Sequence, residues 1–175
     1  MNQLSREEKY MKEALKQARK AAEKGEVPIG CVIVMDDKIV GRGYNRRTCD
    51  HSTLAHAEII AIRKACRYVN DWRLDEAEMY VTLEPCQMCS GAIIQSRIRK
   101  LYFGAMNPKA GCAGSIINIF DEPRFNHHVE VTQGILQEEC SAMLKDFFKD
   151  LRVRLKEEKA EKRAAPDDDP VAGSN

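Results

Sequence analysis

The sequence predicts an α/β fold, a three-layer α/β/α sandwich built on a five-stranded mixed sheet. Helical and strand-like patterns alternate along the chain, which places crossover helices on the faces of a sheet. The short continuous apolar run from Ile29 to Met35 is typical of a strand that is buried on both faces. Asp36-Asp37 then turns the chain into a second strand, which predicts a hairpin.

The N-terminal part of the chain predicts one helix followed by this hairpin. The helix comes first because apolar residues recur three or four positions apart until Gly25 ends the pattern. Its apolar positions are Met11, Leu15, Ala18 and Ala22. The strands of the hairpin are predicted over Ile29–Met35 and Lys38–Tyr44.

The remainder of the domain predicts three helices and three strands. One helix starts at His56, a second runs from the cysteines to about Ser96, and a long third helix ends the domain. The strands are predicted over Met79–Leu83, Lys100–Gly104 and Val129–Thr132. The last helix has apolar residues at helical spacing at Leu136, Cys140, Met143, Leu144, Phe147 and Leu151.

Length and composition predict one domain over residues 1–158 and a disordered tail over 159–175. At 175 residues and 19.9 kDa the chain is long enough to bury a core, whereas the tail is charged and then rich in Pro, Asp, Gly and Ser. Seven cysteines at irregular spacing fit a reducing compartment better than a disulfide framework. We expect no signal peptide and no membrane contact, and therefore a cytoplasmic protein.

The pattern that bears most directly on function is His56-Ala57-Glu58 followed by Pro85-Cys86-Gln87-Met88-Cys89. His56, Cys86 and Cys89 are three zinc ligands, and catalytic zinc sites keep three protein ligands and a water where structural sites have four. Cys86 and Cys89 are three residues apart, on one face of a helix that Pro85 can start. The sequence therefore predicts one Zn²⁺ per subunit, a zinc-activated water as nucleophile and Glu58 as its proton carrier.

Other interpretations of these residues were open. A C-x-x-C pair in a reducing compartment is also typical of a redox site or of half a structural zinc ribbon, and Glu58 could be a helix-capping carboxylate. The other five cysteines contain no second pair for a ribbon, and a redox site gives His56 and Glu58 no role. The two motifs together are the pattern of zinc-dependent nucleobase deaminases.

Further motifs indicate which group of these deaminases the chain resembles. They are Val27–Gly30, Gly43–Asn45, Tyr80–Cys86, Gly111–Ser115 and Asn126-His127. On these motifs the chain, from about Glu8 to Leu151, resembles the bacterial tRNA adenosine deaminases of the cytidine/deoxycytidylate deaminase superfamily. The resemblance implies a cytidine deaminase-like fold, a homodimer, and the anticodon stem-loop of tRNA as partner. It also implies hydrolytic deamination of adenosine to inosine at the wobble position of an arginine tRNA.

The resemblance also implies which residues bind the substrate. Asn45 would hydrogen-bond the flipped base, Ile29 and Ala57 would line its pocket, and the Glu84 backbone would lie near the exocyclic amine. Asn45 had a second interpretation, as a turn residue that tolerates left-handed backbone geometry. We expect His51 to face solvent or RNA rather than zinc.

Contacts with RNA are expected from a small set of polar residues around the pocket, namely Lys109, Asn107, Ser115 and Arg152. A net charge of +1 does not exclude nucleic-acid binding, because a local basic patch is sufficient. Two positions depart from the pattern of the family: Asn107 stands where Asp is frequent, and Leu54 where Thr is frequent. The neutral side chain of Asn107 lessens repulsion of a phosphate backbone, which leaves the preference for RNA over DNA open.

Three functions are compatible with these motifs. Adenosine deamination in tRNA accounts for all of the motifs. A small-molecule deaminase acting on cytidine, deoxycytidylate or guanine would use the same zinc chemistry, but gives no role to the segment Gly111–Ser115. A zinc-stabilised interaction module without catalysis would make Glu58 dispensable.

Overall fold

A five-stranded mixed sheet with strand order β2-β1-β3-β4-β5 organises the protein. In the computed structural model, which describes residues 3–164, β1 pairs antiparallel with both β2 and β3, and β4 runs parallel to both β3 and β5. The strands are β1 Gly30–Met35, β2 Lys38–Tyr44, β3 Glu78–Leu83, β4 Lys100–Ala105 and β5 Glu130–Gln133. The predicted mixed sheet is confirmed, and each predicted strand lies within one or two residues of its observed bounds.

Four α-helices cover the two faces of the sheet. They are α1 Arg6–Glu23, α2 Ala57–Val69, α3 Gln87–Gln95 and α4 Gln137–Ala164, and a 3₁₀ turn spans Ile119–Asp121. Cys31 and Ile33 of β1 face the core shared with α2 and α3. Val32 and Val34 face the second core, shared with α1 and α4. This alternation confirms the predicted three-layer sandwich.

Helix α2 approaches the sheet closely over Gly43 of β2. A Cβ atom added at Gly43 would lie 2.0 Å from the carbonyl oxygen of Ala57 and 2.8 Å from the nitrogen of Ala61. Only a glycine fits there. Gly43 therefore allows the first turn of α2 to pack at this short distance from the sheet. That turn carries His56 and Glu58.

The chain passes from β3 directly into the cysteine motif. β3 ends at Leu83, and α3 begins at Gln87 with Cys86 as its N-cap. Because α3 connects the parallel strands β3 and β4, its first turn lies at the carboxyl ends of these strands, where α/β folds place their sites.

At the C-terminus, α4 extends to Ala164, six residues past the predicted domain boundary at 158. The rest of the predicted tail, 165–175, lies outside the described residues, as do residues 1 and 2. Within the described part of the chain, no helix combines the length and the apolar character that crossing a bilayer requires.

Candidate metal centre and base pocket

Two helix starts face each other at the site. His56 is the N-cap of α2 and Cys86 is the N-cap of α3, and neither side chain makes a capping hydrogen bond. Cys89 follows in the first turn of α3 and is buried. The structure therefore brings together the three predicted ligands from segments 30 residues apart in sequence.

The three side chains match the dimensions of a zinc site. Nδ1 of His56 lies 3.7 Å from Sγ of Cys86 and 3.5 Å from Sγ of Cys89. With ordinary zinc–nitrogen and zinc–sulfur bond lengths, tetrahedral coordination places such atoms about 3.6 Å apart. Among residues 3–164, no further His, Cys, Asp or Glu belongs to this group. Three ligands fit zinc and leave its fourth position open, as in catalytic sites.

The electrostatics of the ligands suit metal binding. Hydrogen bonds from Cys89 and His56 lower the pKa of Cys86 to about 4, so its sulfur is a thiolate at neutral pH. The hydrogen bond to Cys86, together with burial, raises the pKa of Cys89, and the hydrogen bond with Cys86 raises that of His56. These shifts couple metal binding to proton release, because histidine and cysteine bind a cation in their deprotonated forms.

Glu58 lies beside this centre and is 4 % exposed. Burial raises the pKa of its carboxyl group, and its own backbone N–H and the nearby His56 partly offset that effect. Burial therefore makes this carboxylate a stronger base than an exposed glutamate, which suits a proton carrier. Glu58 is the second residue of α2, whereas a capping-box carboxylate occupies the third helical position. Its position therefore disfavours the capping interpretation.

A cavity of about 190 Å³ opens onto the metal ligands. Its size is below the roughly 300–1,000 Å³ of pockets for drug-sized ligands, which fits a single flat base. The predicted residues Ile29, Asn45 and Glu84 line it, whereas Ala57 is fully buried beneath Gly43 and does not border it. The cavity is lined by Val27, Ile29, Asn45, Arg47, His56, Glu58, Leu83, Glu84, Cys86, Asn107 and Ala110.

Asn45 is held by a buried carboxylate that the sequence did not reveal. Its Nδ2 donates to Oε2 of Glu26 over 3.4 Å, and the backbone nitrogen of Cys49 donates to Oε1 of Glu26 over 2.7 Å. Asn45 does not have the positive φ of a left-handed turn residue, so the turn interpretation has no support. The only signal for Glu26 was its place next to the Val27–Gly30 motif.

The residues expected to contact RNA fall into two groups. Lys109 and Arg152 are exposed and form no ion pair within residues 3–164. The side chain of Asn107 instead forms hydrogen bonds within the protein. Its Oδ1 accepts from the backbone nitrogen of Ala110 over 3.2 Å, and its Nδ2 donates to the carbonyl oxygen of Glu84. The hydroxyl of Ser115 donates to the Glu84 carboxylate.

A second cavity of about 460 Å³ adjoins the base pocket and shares Val27, Asn45 and Arg47 with it. Phe147 and Leu151 of α4 form its far wall, and His51 also borders it. A larger groove of about 700 Å³ lies between α1 and α4, but none of the metal ligands lines it. The base pocket with its neighbouring cavity is therefore the candidate site, although a larger depression exists elsewhere.

The comparisons with known proteins agree with this geometry. A family model for MafB19-like deaminases matches residues 5–152. The tRNA-specific adenosine deaminase of Bacillus subtilis is 50% identical over 153 residues, which cover 87% of this chain and 95% of that protein. A solved structure from a study of A-to-I editing by tRNA:A34 deaminases at the wobble position of transfer RNA superposes with a TM-score of 0.75 and 43% identity. It covers 78% of this chain and 99% of that one. A guanine deaminase from Nitrosomonas europaea superposes with a TM-score of 0.66 and 26% identity, over 80% and 83% of the two chains.

Proposed function

The chain belongs to the tRNA-specific adenosine deaminases, which are zinc-dependent hydrolases, and from this premise we propose that it converts the wobble adenosine of an arginine tRNA to inosine. The observation that carries the proposal is the placement of Glu58, buried between a zinc-type ligand set and a cavity of the size of one base. Water adds to the ring carbon that bears the exocyclic amine, and ammonia leaves.

Each residue has a distinct part in this reaction. His56, Cys86 and Cys89 would hold the zinc ion, which would supply Lewis-acid activation of the attacking water. Glu58 accepts a proton from the attacking water and delivers it to the ring nitrogen beside the reacting carbon. It then accepts the proton of the newly added hydroxyl group and gives it to the departing amine, so that ammonia leaves and a carbonyl forms. Proton transfer by a positioned carboxylate typically contributes about 10²–10⁴-fold to the rate.

A loop nucleotide suits this site better than a free nucleoside. An unpaired loop base is already partly unstacked, so turning it into the pocket costs little. The adjoining cavity has room for a flanking nucleotide, with Phe147 as an aromatic wall and Arg47 between the two cavities. Phosphate contacts from the exposed Lys109 and Arg152 would fix the register of the loop without reading its sequence.

The direct test compares substrates and variants. The protein should form inosine in an anticodon stem-loop with an unpaired wobble adenosine and should barely act on free adenosine, cytidine or guanine. Glu58→Gln should retain zinc and fold but lose turnover. Full activity in folded Glu58→Gln protein would remove the proton-transfer mechanism and favour a non-catalytic zinc module.

A small-molecule deaminase is the second candidate, because the guanine deaminase of Nitrosomonas europaea shares the fold. The same assay separates the two functions. Faster release of ammonia from guanine or cytidine than from the stem-loop would establish the small-molecule activity, and only the zinc chemistry of the proposal would remain.

A homodimer is part of the proposal. Leu54 is 61% exposed just before the His56 motif, and Ile116 and Ile117 are 56% and 54% exposed after Ser115. Exposed apolar side chains in two loops that flank the site fit burial against a second subunit that completes the RNA groove. Light scattering at micromolar concentration should give twice the mass of the chain, and a fully active monomer would contradict this.

A reducing, cytoplasmic location is also proposed. All seven cysteines are free thiols in the structure, including the exposed Cys49. A tRNA substrate would also place the protein in the cytoplasm.

A further inference from the structure

The side chain of Glu84 accepts four hydrogen bonds from one loop, residues 107–115. Oε1 accepts from the backbone nitrogens of Ala113 (2.9 Å) and Ser115 (3.0 Å). Oε2 accepts from the backbone nitrogen of Asn107 (2.9 Å) and from the hydroxyl of Ser115. Glu84 is 1% exposed and forms no ion pair within the described residues, so neutral loop donors alone satisfy this buried charge.

The 107–115 loop wraps tightly around this carboxylate. A Cβ atom at Gly111 would lie 2.3 Å from both Cδ and Oε2 of Glu84, so a side chain has no room there. The loop is also attached to the cysteine motif, because the nitrogen of Cys112 donates to the carbonyl oxygen of Pro85 over 2.9 Å. The carboxylate is therefore the centre about which the loop is folded.

The same loop forms one wall of the base pocket. Asn107 and Ala110 line the cavity. Lys109, which lies between these two residues in the sequence, is exposed to solvent. Any change in the position of the loop moves the pocket wall and the proposed phosphate contact together. The reacting groups His56 and Glu58 lie on a different element, α2.

We propose that Glu84 is a positioning residue that holds the 107–115 loop against the base pocket and thereby sets the affinity for the RNA loop. This deepens the proposed function and rests on it. Glu84 acts through its side chain, whereas the resemblance to the family assigns its backbone alone to the substrate. The carboxylate is required because each of its two oxygens takes two donors, and an amide has one accepting oxygen.

Glu84→Gln is the sharpest variant. Whichever way the amide is oriented, its NH₂ group faces two loop donors that then lose their acceptor. Losing hydrogen bonds to a charged group corresponds to a change of about tenfold or more in an equilibrium constant. We expect the variant to keep one zinc per chain, to exchange the amide hydrogens of residues 107–115 faster, and to raise KM for the stem-loop about tenfold or more. The turnover number should fall less.

Glu78→Gln is the matched control. Glu78 is a buried glutamate at the first residue of β3, whereas Glu84 directly follows the last residue of that strand. The Glu78 carboxylate accepts hydrogen bonds from Arg6, Tyr80 and Arg99, far from the 107–115 loop. This change should lower the melting temperature while the exchange of residues 107–115 and KM stay at their wild-type values.

Gly111→Ala tests the same contact from the loop side, since it leaves the carboxylate intact and inserts a methyl group against it. It should give the same pattern of faster local exchange, retained zinc and raised KM. The proposal is overturned if Glu84→Gln leaves loop exchange and KM unchanged, or if it loses zinc and protection throughout the domain. If the wild-type protein does not deaminate the stem-loop, the proposed function fails. Zinc content and loop exchange then still decide whether Glu84 holds the loop.

Discussion

The side-chain nitrogen of Asn45 lies 3.4 Å from Oε2 of Glu26, and this buried contact leaves the amide oxygen of Asn45 as the group without a protein donor among the described hydrogen bonds. Glu26 is itself 3% exposed and is anchored by the backbone nitrogen of Cys49. The amide oxygen of Asn45 is therefore the atom available to accept a hydrogen bond from a ligand in the base pocket, and the contact with Glu26 fixes the orientation of the amide.

We predict that Glu26→Gln weakens substrate binding about tenfold. The glutamine amide has one accepting oxygen for two donors, so either Cys49 or Asn45 loses its partner, or Asn45 reverses its amide. The measurement is KM for the stem-loop in a double-mutant cycle with Asn45→Ala. If Glu26 acts through Asn45, the two losses should be strongly non-additive; simple addition would refute the link.

We predict that Cys86→Ala releases zinc and lowers the melting temperature, because metal binding is coupled to folding. Elemental analysis of the purified protein and thermal unfolding measure the two effects. Cys66→Ala is the control, since Cys66 lies on α2 outside the ligand group and should leave one zinc per chain. Equal zinc content in both variants would show that the cysteine pair is not the ligand set.

We predict that Gly43→Ala destabilises the protein by about 1–3 kcal/mol and reduces turnover. The added methyl group overlaps the carbonyl of Ala57, so α2 has to lift and carries His56 and Glu58 with it. Denaturant unfolding and kcat are the measurements. Gly91→Ala in α3 is the matched control: its Cβ meets nothing within 4 Å, and it should stabilise by about 0.5–1 kcal/mol with activity retained.

We predict that Lys109→Ala weakens binding of the stem-loop and makes its salt dependence shallower by about one unit in the log–log slope. Fluorescence anisotropy at several salt concentrations measures the slope. Lys38→Ala removes the same charge at the far end of β2, away from Tyr44 and the pocket, and should leave the slope unchanged. Identical slopes for all three proteins would exclude a phosphate contact at Lys109.

We predict that deletion of residues 159–175 leaves the melting temperature and zinc content unchanged. The side chains of Lys159 to Lys162 are exposed on α4, so their removal uncovers no core. A large loss of stability would show that the C-terminal segment docks on the domain.

The sequence predicted the helices and strands, and also the three residues that the fold brings together at the candidate metal centre, because each has a local signal. Short apolar runs indicated the strands, and the residue types and spacing of His56, Cys86 and Cys89 are typical of a catalytic zinc site. The hairpin predicted the pairing of β1 with β2, but no local pattern shows that β1 also pairs with β3, so the order of the sheet was not predictable.

The supporting carboxylates of the site were beyond sequence reasoning for the same reason. Glu84 and Ser115 are 31 residues apart, and Glu26 and Asn45 are 19 apart, so their burial depends on loops whose paths only the fold determines. Glutamate is usually exposed, and only its place beside the Val27–Gly30 motif distinguishes Glu26 from Glu23 in the sequence. The resemblance to the family implies that Ala57, between His56 and Glu58, lines the pocket. In the structure it is buried against the sheet and does not border the cavity.

The two N-cap positions have a consequence for engineering. A serine, threonine or aspartate at an N-cap contributes about 1 kcal/mol to a helix, and His56 and Cys86 provide no such hydrogen bond to α2 or α3. Selection of variants for thermal stability of the metal-free protein would therefore favour His56→Ser and Cys86→Asp. Both changes strengthen a helix while removing a zinc ligand, so a stabilisation campaign on this enzyme has to be screened with zinc bound.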